Sequence, residues 1–168
     1  KEDSKEIYKK FNAEQFENLL KKNEGLGTFW IAKALHNKYF ERFICVDPDR
    51  NTWYEFKNHR WNPSKGGGKL VSLMSSEFSN SYRKLAGEYN TKAINTTGDN
   101  KSKFDNLADK YKKIASKLMD ITFKKKILEE AKHLFLDEKF FERLDENHDL
   151  IGFENGVYDL KLHKFREG

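Results

Sequence analysis

Apolar side chains recur at the three- and four-residue spacing of an amphipathic helix over most of the chain. The clearest stripe consists of Phe104, Leu107, Ala108, Tyr111, Ile114, Ala115 and Leu118. Asn12, Thr28 and Ser102 are the residue types preferred at helix N-caps, and each precedes such a stripe. Helices are therefore predicted over residues 12–20, 28–39, 70–85, 102–118, 123–135 and 137–144.

A short β-type pattern follows the second predicted helix. Residues 43–46 and 53–56 are apolar and aromatic, and Asp47-Pro48-Asp49 between them has the composition of a turn. A second turn at Asn58-His59 leads into a short Arg60-Trp61 segment. Residues 63–68, which read PSKGGG, then predict a flexible break.

The C-terminal stretch has the pattern of a second hairpin. Asn155-Gly156 is a dipeptide suited to the positive φ angles of a tight turn, and apolar residues lie on both sides of it. A further short return can follow at residues 162–165. The predicted fold class is therefore α+β: mainly helical, with a small antiparallel hairpin after the second helix and a C-terminal β-hairpin.

Composition narrows the class of protein. The chain has 168 residues, enough for one domain with a helical appendage, and 14 of them are Phe, which predicts a core rich in rings. The 32 basic and 27 acidic residues give a net charge of +5, which permits an anionic partner without requiring one. A single cysteine, Cys45, excludes an internal disulfide, favours a reducing compartment and reads as a small buried hydrophobe. No apolar run approaches the length needed to span a membrane.

Three stretches resemble a known family. The string GFENGVYDL followed by KFREG resembles the signature that closes the domain preceding the motor in viral and phage superfamily 3 helicases, among them the primase-helicases of poxviruses and giant viruses. Upstream, FWIAKALHNKYFERFICVD resembles the helix of that domain leading into a strand, and TWYEFKNHRWNP resembles its aromatic-rich hairpin. The resemblance extends over residues 26–168.

The resemblance carries expectations about organisation and role. It implies that residues 1–25 form a linker or docking helix and that residues 26–168 form a helicase-associated collar-type domain, both parts of a longer protein. Such a domain is non-catalytic, lies between a primase and a ring-forming ATPase, helps to assemble a hexamer and contacts single-stranded or forked DNA. The ATP and Mg²⁺ of the parent protein would bind outside this fragment, which would need no cofactor, and the setting would be a viral replication factory in the host cytoplasm.

Two motifs in the sequence are similar to catalytic motifs but incomplete. Gly66-Gly67-Gly68-Lys69 lacks the Ser or Thr that follows the lysine of a phosphate-binding P-loop, because Leu70 stands there. Asp47 and Asp49 have the one-residue separation of primase metal ligands, but Pro48 between them favours a turn. The histidines and the cysteine show no ligand spacing. Neither a catalytic nor a metal site is predicted.

Basic residues interleaved with aromatic rings are the remaining signal, since cations bind phosphates and rings stack on bases. Strand tryptophans are more often core, and a lysine run more often solvates a helix. The candidate nucleic-acid-binding residues are Arg42, Lys57, Arg60, Trp61, Lys65, Lys69, Lys124, Lys125 and Lys126.

Three other functions also agree with the sequence. The helix and hairpin over residues 28–61 suggest a monomeric winged-helix-like module that binds duplex DNA. A primase or nuclease fragment would use Asp47 and Asp49 with a divalent metal. A structural adaptor with no affinity for nucleic acid would also agree with the modest charge.

Overall fold

The computed structural model describes residues 4–22, 27–144, 149–153 and 155–166, with side chains described from residue 12 onward. The helices are α1 (Ser4–Lys21), α2 (Thr28–Tyr39), α3 (Gly68–Leu73), α4 (Ser79–Ile94), α5 (Asp99–Lys117), α6 (Ile121–Leu134) and α7 (Phe140–Arg143). The strands are β1 (Phe43–Asp47), β2 (Thr52–Lys57), β3 (Arg60–Lys65), β4 (Leu150–Phe153), β5 (Gly156–Asp159) and β6 (Lys164–Arg166). The predicted α+β class is confirmed, with one sheet after the second helix and another at the C-terminal end.

The described residues fall into two compact units. Those of residues 1–38 and 69–131 form one, here called the helical unit, and those of residues 39–68 and 132–168 form the other, the sheet unit. The predicted domain boundary at residue 25 stays a prediction. Residues 23–26, where the first helix was expected to end, and Glu154, Glu167 and Gly168 of the C-terminal motif lie outside the described residues.

Aromatic rings line the contact between α4 and α5 in the helical unit. The Tyr82 and Tyr111 rings stack at 6.4 Å between centroids, and Tyr89 lies 5.6 Å from Tyr111 and 6.0 Å from Phe104. Tyr111 is only 1% exposed. Burial, together with the neighbouring Tyr89, raises the pKa of Tyr111 to about 12.

A π-helical turn, Met74–Phe78, interrupts the single long helix that the sequence predicted from residue 70. The serines of this stretch donate back to carbonyls of the preceding turn: Ser76 Oγ lies 3.1 Å from Ser72 O, and Ser79 Oγ lies 3.1 Å from Ser75 O. Such bonds compete with the regular backbone ladder and bend helices. The helical stripe of apolar residues alone could not reveal this interruption.

Two helix starts were predicted too late. The structure begins α1 at Ser4, whereas the sequence predicted a helix only from residue 12, with Asn12 as its cap. It begins α5 at Asp99 rather than after Ser102, and an acidic residue in the first turn complements the helix dipole. The residues added to α5, 99–101, are polar and extend the helix without extending its apolar stripe, so hydrophobic spacing marks only the part that packs.

The first sheet has the strand order β1-β2-β3, with antiparallel pairing throughout. The sequence predicted only two strands plus a short third segment, and it assigned Pro63 to a flexible loop. Pro63 instead pairs with Tyr54 inside β3. A proline is tolerated there because β3 is an edge strand, where its missing N–H breaks no ladder bond. The break shrinks to Gly66 and Gly67, whose φ angles are 56° and 64°.

The other edge of this sheet is covered by the backbone that follows α6. Cys45 N donates to Phe135 O at 2.9 Å, and Asp137 N donates to Cys45 O at 2.9 Å. This bridge is why α6 ends at Leu134 and why the short helix predicted from residue 137 begins only at Phe140. Cys45 is fully buried, as predicted, and burial raises the pKa of its thiol.

The second sheet has the order β4-β5-β6 and confirms the predicted C-terminal hairpin and its further return. Gly156, at the start of β5, has a φ angle of 155°. A Cβ atom there would lie 2.5 Å from Arg166 O and 2.7 Å from the Phe165 ring. Glycine is therefore the residue that lets β6 pair closely with β5.

Candidate nucleic-acid interface

The nine candidate residues divide between the two units. Five lie in the sheet unit: Arg42, Lys57, Arg60, Trp61 and Lys65. Four lie in the helical unit: Lys69, Lys124, Lys125 and Lys126. Their roles in binding stay predictions, and the environments of the side chains differ from one residue to the next.

The tip of the β2–β3 hairpin presents two cations side by side. Lys57 and Arg60 are directly paired across the strands, and both are exposed. Asn58 and His59 between them have φ angles of 53° and 58°, the left-handed pair that a two-residue type I′ turn requires. Asn62 Nδ2 donates to Lys57 O and to Arg60 O, each at 3.1 Å. These bonds hold the tip in one geometry.

Arg42 precedes β1, and its charge is compensated within the sheet. Its Nε and Nη2 lie 2.9 and 2.7 Å from Glu55 Oε1. The side chains of Arg42 and Glu55 are 37% and 14% exposed, and the guanidinium also lies 5.4 Å from the Phe43 ring centroid. A guanidinium held in this way stabilises the sheet and is less available to a phosphate than an exposed cation.

Trp61 belongs to an aromatic cluster. Its ring lies 5.2 Å from Phe56 and 5.3 Å from Phe140, measured between centroids, and the residue is half-buried. Phe56, its partner across the strands, is 41% exposed and is the more accessible ring of the pair. Sequence reasoning missed Phe56, although the two-residue turn fixes this pairing. Trp53, in contrast, is 1% exposed, as the core interpretation of strand tryptophans predicts.

Lys65 and Lys69 lie on either side of the glycines. Lys65 ends β3 opposite Thr52 and is exposed. Lys69 is exposed in the first turn of α3. Because strand side chains alternate between faces, Lys65 points to the opposite face of the sheet from Arg60.

The lysine run on α6 does not form one patch. Lys124 is half-buried, and its Nζ donates to Ser75 Oγ at 2.7 Å, while Ser75 Oγ donates to Leu118 O at 2.9 Å. Lys125 and Lys126 are exposed. One ammonium group thus stabilises the π-helical turn, and two face solvent.

Asp47 is the last residue of β1, and Asp49 lies in the turn that the sequence predicted after it. Asp47 Oδ1 accepts a hydrogen bond from Arg50 N at 2.9 Å, and Asn51 N donates to Pro48 O at 3.3 Å. Asp49 is exposed. Among the residues whose positions the structure describes, no group of three or more His, Cys, Asp or Glu side chains could hold a metal ion.

Comparison with known proteins gives a consistent set of relatives. A family described as D5 N terminal like matches residues 32–168. The chain is 35% identical over 158 residues to L207/L206 of Acanthamoeba polyphaga mimivirus, a protein named as an inferred helicase; the match covers 92% of this chain and 16% of the relative.

Two further relatives come from other large DNA viruses. The protein 022R of frog virus 3, also named as an inferred helicase, is 23% identical over 168 residues, which is 82% of this chain and 17% of the relative. The protein C962R of African swine fever virus, named as an inferred primase, is 26% identical over 161 residues, or 83% of this chain and 16% of the relative. The chain thus spans about a sixth of the length of these relatives. Within the described residues, no helix is long and apolar enough to cross a membrane.

Proposed function

Because the chain belongs to the D5 N terminal like family, we propose that it is a non-catalytic domain of a viral primase-helicase that functions in DNA replication. Relatives named for helicase and primase activity support this role. The resemblance of the C-terminal motif supports a superfamily 3 motor elsewhere in the parent protein, which would bind ATP and Mg²⁺. Replication in the host cytoplasm is part of the same proposal.

The tip of the β2–β3 hairpin is the proposed DNA contact. The observation that supports it is that the cations Lys57 and Arg60 lie directly opposite each other on neighbouring strands. Two exposed cations on neighbouring strands, held by a rigid turn, can each neutralise one backbone phosphate. The hairpin backbone should lose little conformational entropy on binding DNA, since the turn and the Asn62 hydrogen bonds already fix it.

The edge strand β3 extends this contact. Arg60 and Lys65 are five residues apart, which at a rise of about 3.3 Å per residue separates them by about 17 Å. A DNA strand lying along the edge would meet Arg60 at one end and Lys65, approaching from the other face, at the other.

The proposed mechanical role is that of a collar. Neighbouring copies of the domain would hold the motors of a hexameric ring in register, and the exposed cations would line the entrance for DNA. The family resemblance supports this assembly role, and the rigid hairpin supports the contact with DNA.

A second candidate function is a monomeric reader of duplex DNA. The order of elements along the chain favours it, because α2 is followed by a three-stranded sheet whose last hairpin has a basic tip. The same order of helix and basic hairpin is found in winged-helix modules. Such a reader would prefer duplex over forked or single-stranded DNA and would not self-associate.

Fluorescence anisotropy with labelled single-stranded, duplex and forked DNA of equal length, across a salt series, tests both candidates. Light scattering on the same samples measures the mass of the complex. Binding that weakens with salt and with Arg60→Gln, but not with Lys113→Gln on α5, supports the hairpin contact. A monomer that prefers duplex supports the winged-helix reading, and no binding to any form at low salt would leave a structural adaptor.

A further inference from the structure

A second group of rings and cations lies in the helical unit and was missed by sequence reasoning. It comprises Lys22, Phe29, Trp30 and Lys33, here called the α2 aromatic cluster. Lys33 Nζ lies 4.9 Å from the Phe29 ring centroid and 5.3 Å from that of Trp30. Lys22 Nζ lies 5.8 Å from the Trp30 centroid, and the Phe29 and Trp30 rings are 5.3 Å apart.

The rings of this cluster are accessible. Phe29 is 43% exposed, and Trp30 is half-buried. The first turn of α2 contains no acidic side chain that would repel an anion. Cation–π contacts at exposed sites are weak, so both ammonium groups can turn from a ring to a phosphate.

A polar pocket on α1 shares one residue with the cluster. Its volume is about 230 Å³, and it is lined by Gln15, Asn18, Leu19 and Lys22. Gln and Asn amides both donate and accept hydrogen bonds, as the edge of a nucleobase requires. The volume lies below the roughly 300–1,000 Å³ of sites for drug-sized ligands, which suits one base rather than a larger molecule.

We propose that the α2 aromatic cluster and the adjoining pocket form a second DNA site that binds single-stranded DNA. A base would stack on Phe29, the neighbouring phosphates would pair with Lys22 and Lys33, and the edge of another base would enter the pocket. This inference rests on the proposed function as a DNA-replication domain, but it uses residues outside the β2–β3 hairpin.

The preference for single strands follows from stacking geometry. A base presents its face to an aromatic side chain only when it is unstacked from its neighbours, so a paired duplex offers Phe29 and Trp30 nothing to stack on. The hairpin tip presents the cations Lys57 and Arg60 on the face opposite Phe56 and Trp61, and these cations contact phosphates that both forms of DNA carry. The two sites should therefore differ in the form of DNA they bind.

The test measures binding of the whole 168-residue chain to labelled oligo(dT) and to a duplex of equal length. Phe29→Ala should weaken binding to oligo(dT) by about fivefold or more, the range for losing one base–aromatic stack, with little change for the duplex. Lys33→Gln should weaken oligo(dT) binding and flatten its salt dependence. Lys21→Gln is the matched control, since Lys21 neighbours Lys22 in sequence but is paired with Glu17.

A spectroscopic readout separates stacking from misfolding. Oligo(dT) should quench tryptophan emission of a Trp61→Phe variant, in which Trp30 is the accessible tryptophan because Trp53 is 1% exposed, and adding Trp30→Phe should remove most of that quenching. Far-UV circular dichroism confirms that each variant is folded. Quenching that survives Trp30→Phe would contradict the assignment.

The two proposals fail separately. If the double variant Lys57→Gln/Arg60→Gln weakens binding while Phe29→Ala binds oligo(dT) like the unmodified chain, the single-strand site is refuted and the hairpin contact stands. If Phe29→Ala weakens oligo(dT) binding and the hairpin variant changes nothing, the single-strand site stands and the hairpin contact is wrong. A chain that binds neither DNA refutes both.

Discussion

Removing the two cations at the hairpin tip should change the salt dependence of DNA binding by a calculable amount. Each phosphate contact contributes about −0.9 to the slope of log K against log salt for duplex DNA, so losing two makes the slope shallower by about 1.8. Between about 50 and 200 mM salt, two contacts account for a roughly 12-fold loss of affinity. Lys57→Gln/Arg60→Gln should lose that part of the salt effect, since both side chains are exposed at the tip.

The assay is an anisotropy titration of labelled duplex at four or more salt concentrations, with both slopes fitted. Lys113→Gln on α5 is exposed and controls for the change in net charge. Lys65→Gln, on the opposite face of β3, should reduce the slope by about one further unit if DNA follows the edge strand. A double variant that keeps the slope of the unmodified chain would show that the tip does not touch DNA.

Three further predictions concern stability. Gly156→Ala should destabilise the second sheet by about 1–3 kcal/mol or more, because the alanine would strain the backbone and its Cβ would clash with Arg166 O. Faster hydrogen exchange at the amides of β5 and β6 would detect this loss, and unchanged protection of those amides would contradict the prediction. Arg42→Gln should lower the free energy of unfolding, measured with urea, by about 1–3 kcal/mol because it leaves the Glu55 carboxylate without its partner. Adding Glu55→Gln should recover part of that loss. Equal free energies of unfolding for the single and the double variant would argue against the ion pair. Between about pH 10, where an unfolded tyrosine ionises, and about pH 12, the pKa of folded Tyr111, the unmodified chain should lose up to about 3 kcal/mol of stability. Tyr111→Phe should lose less over that interval, and equal pH profiles would refute the role of burial.

The helices that pack were predictable, and their polar ends were not. The stripe that includes Tyr111 and Ile114 predicted α5, and those side chains are indeed buried. Phe29, Ala32 and Leu35 repeat at the same helical spacing in α2, but the structure leaves Phe29 43% exposed. A helical stripe shows which side chains could share a face, but only the neighbouring elements decide which part of that face is covered.

The third strand of the first sheet was predicted too short for a different reason. Proline and three glycines in residues 63–68 are strong signals for a loop, and the polar residues Ser64 and Lys65 add no apolar alternation that would indicate a strand. Whether Pro63 breaks a strand depends on its position in the sheet, and an edge position cannot be read from local sequence. The two-residue turn at Asn58-His59, which depends only on local backbone preference, was predicted correctly.

The candidate interface shows why a count of basic residues overestimates the charge available to DNA. Arg42 is paired with Glu55, thirteen residues away, and Lys124 donates to Ser75, forty-nine residues away. Neither partner could be identified from sequence spacing, because each pair forms only when separate elements pack together. Counterion release requires a cation that can reach a phosphate, so the two compensated side chains should contribute little to the salt slope. An Arg42→Gln variant that is folded should therefore bind DNA with the slope of the unmodified chain, whereas the hairpin variant should not.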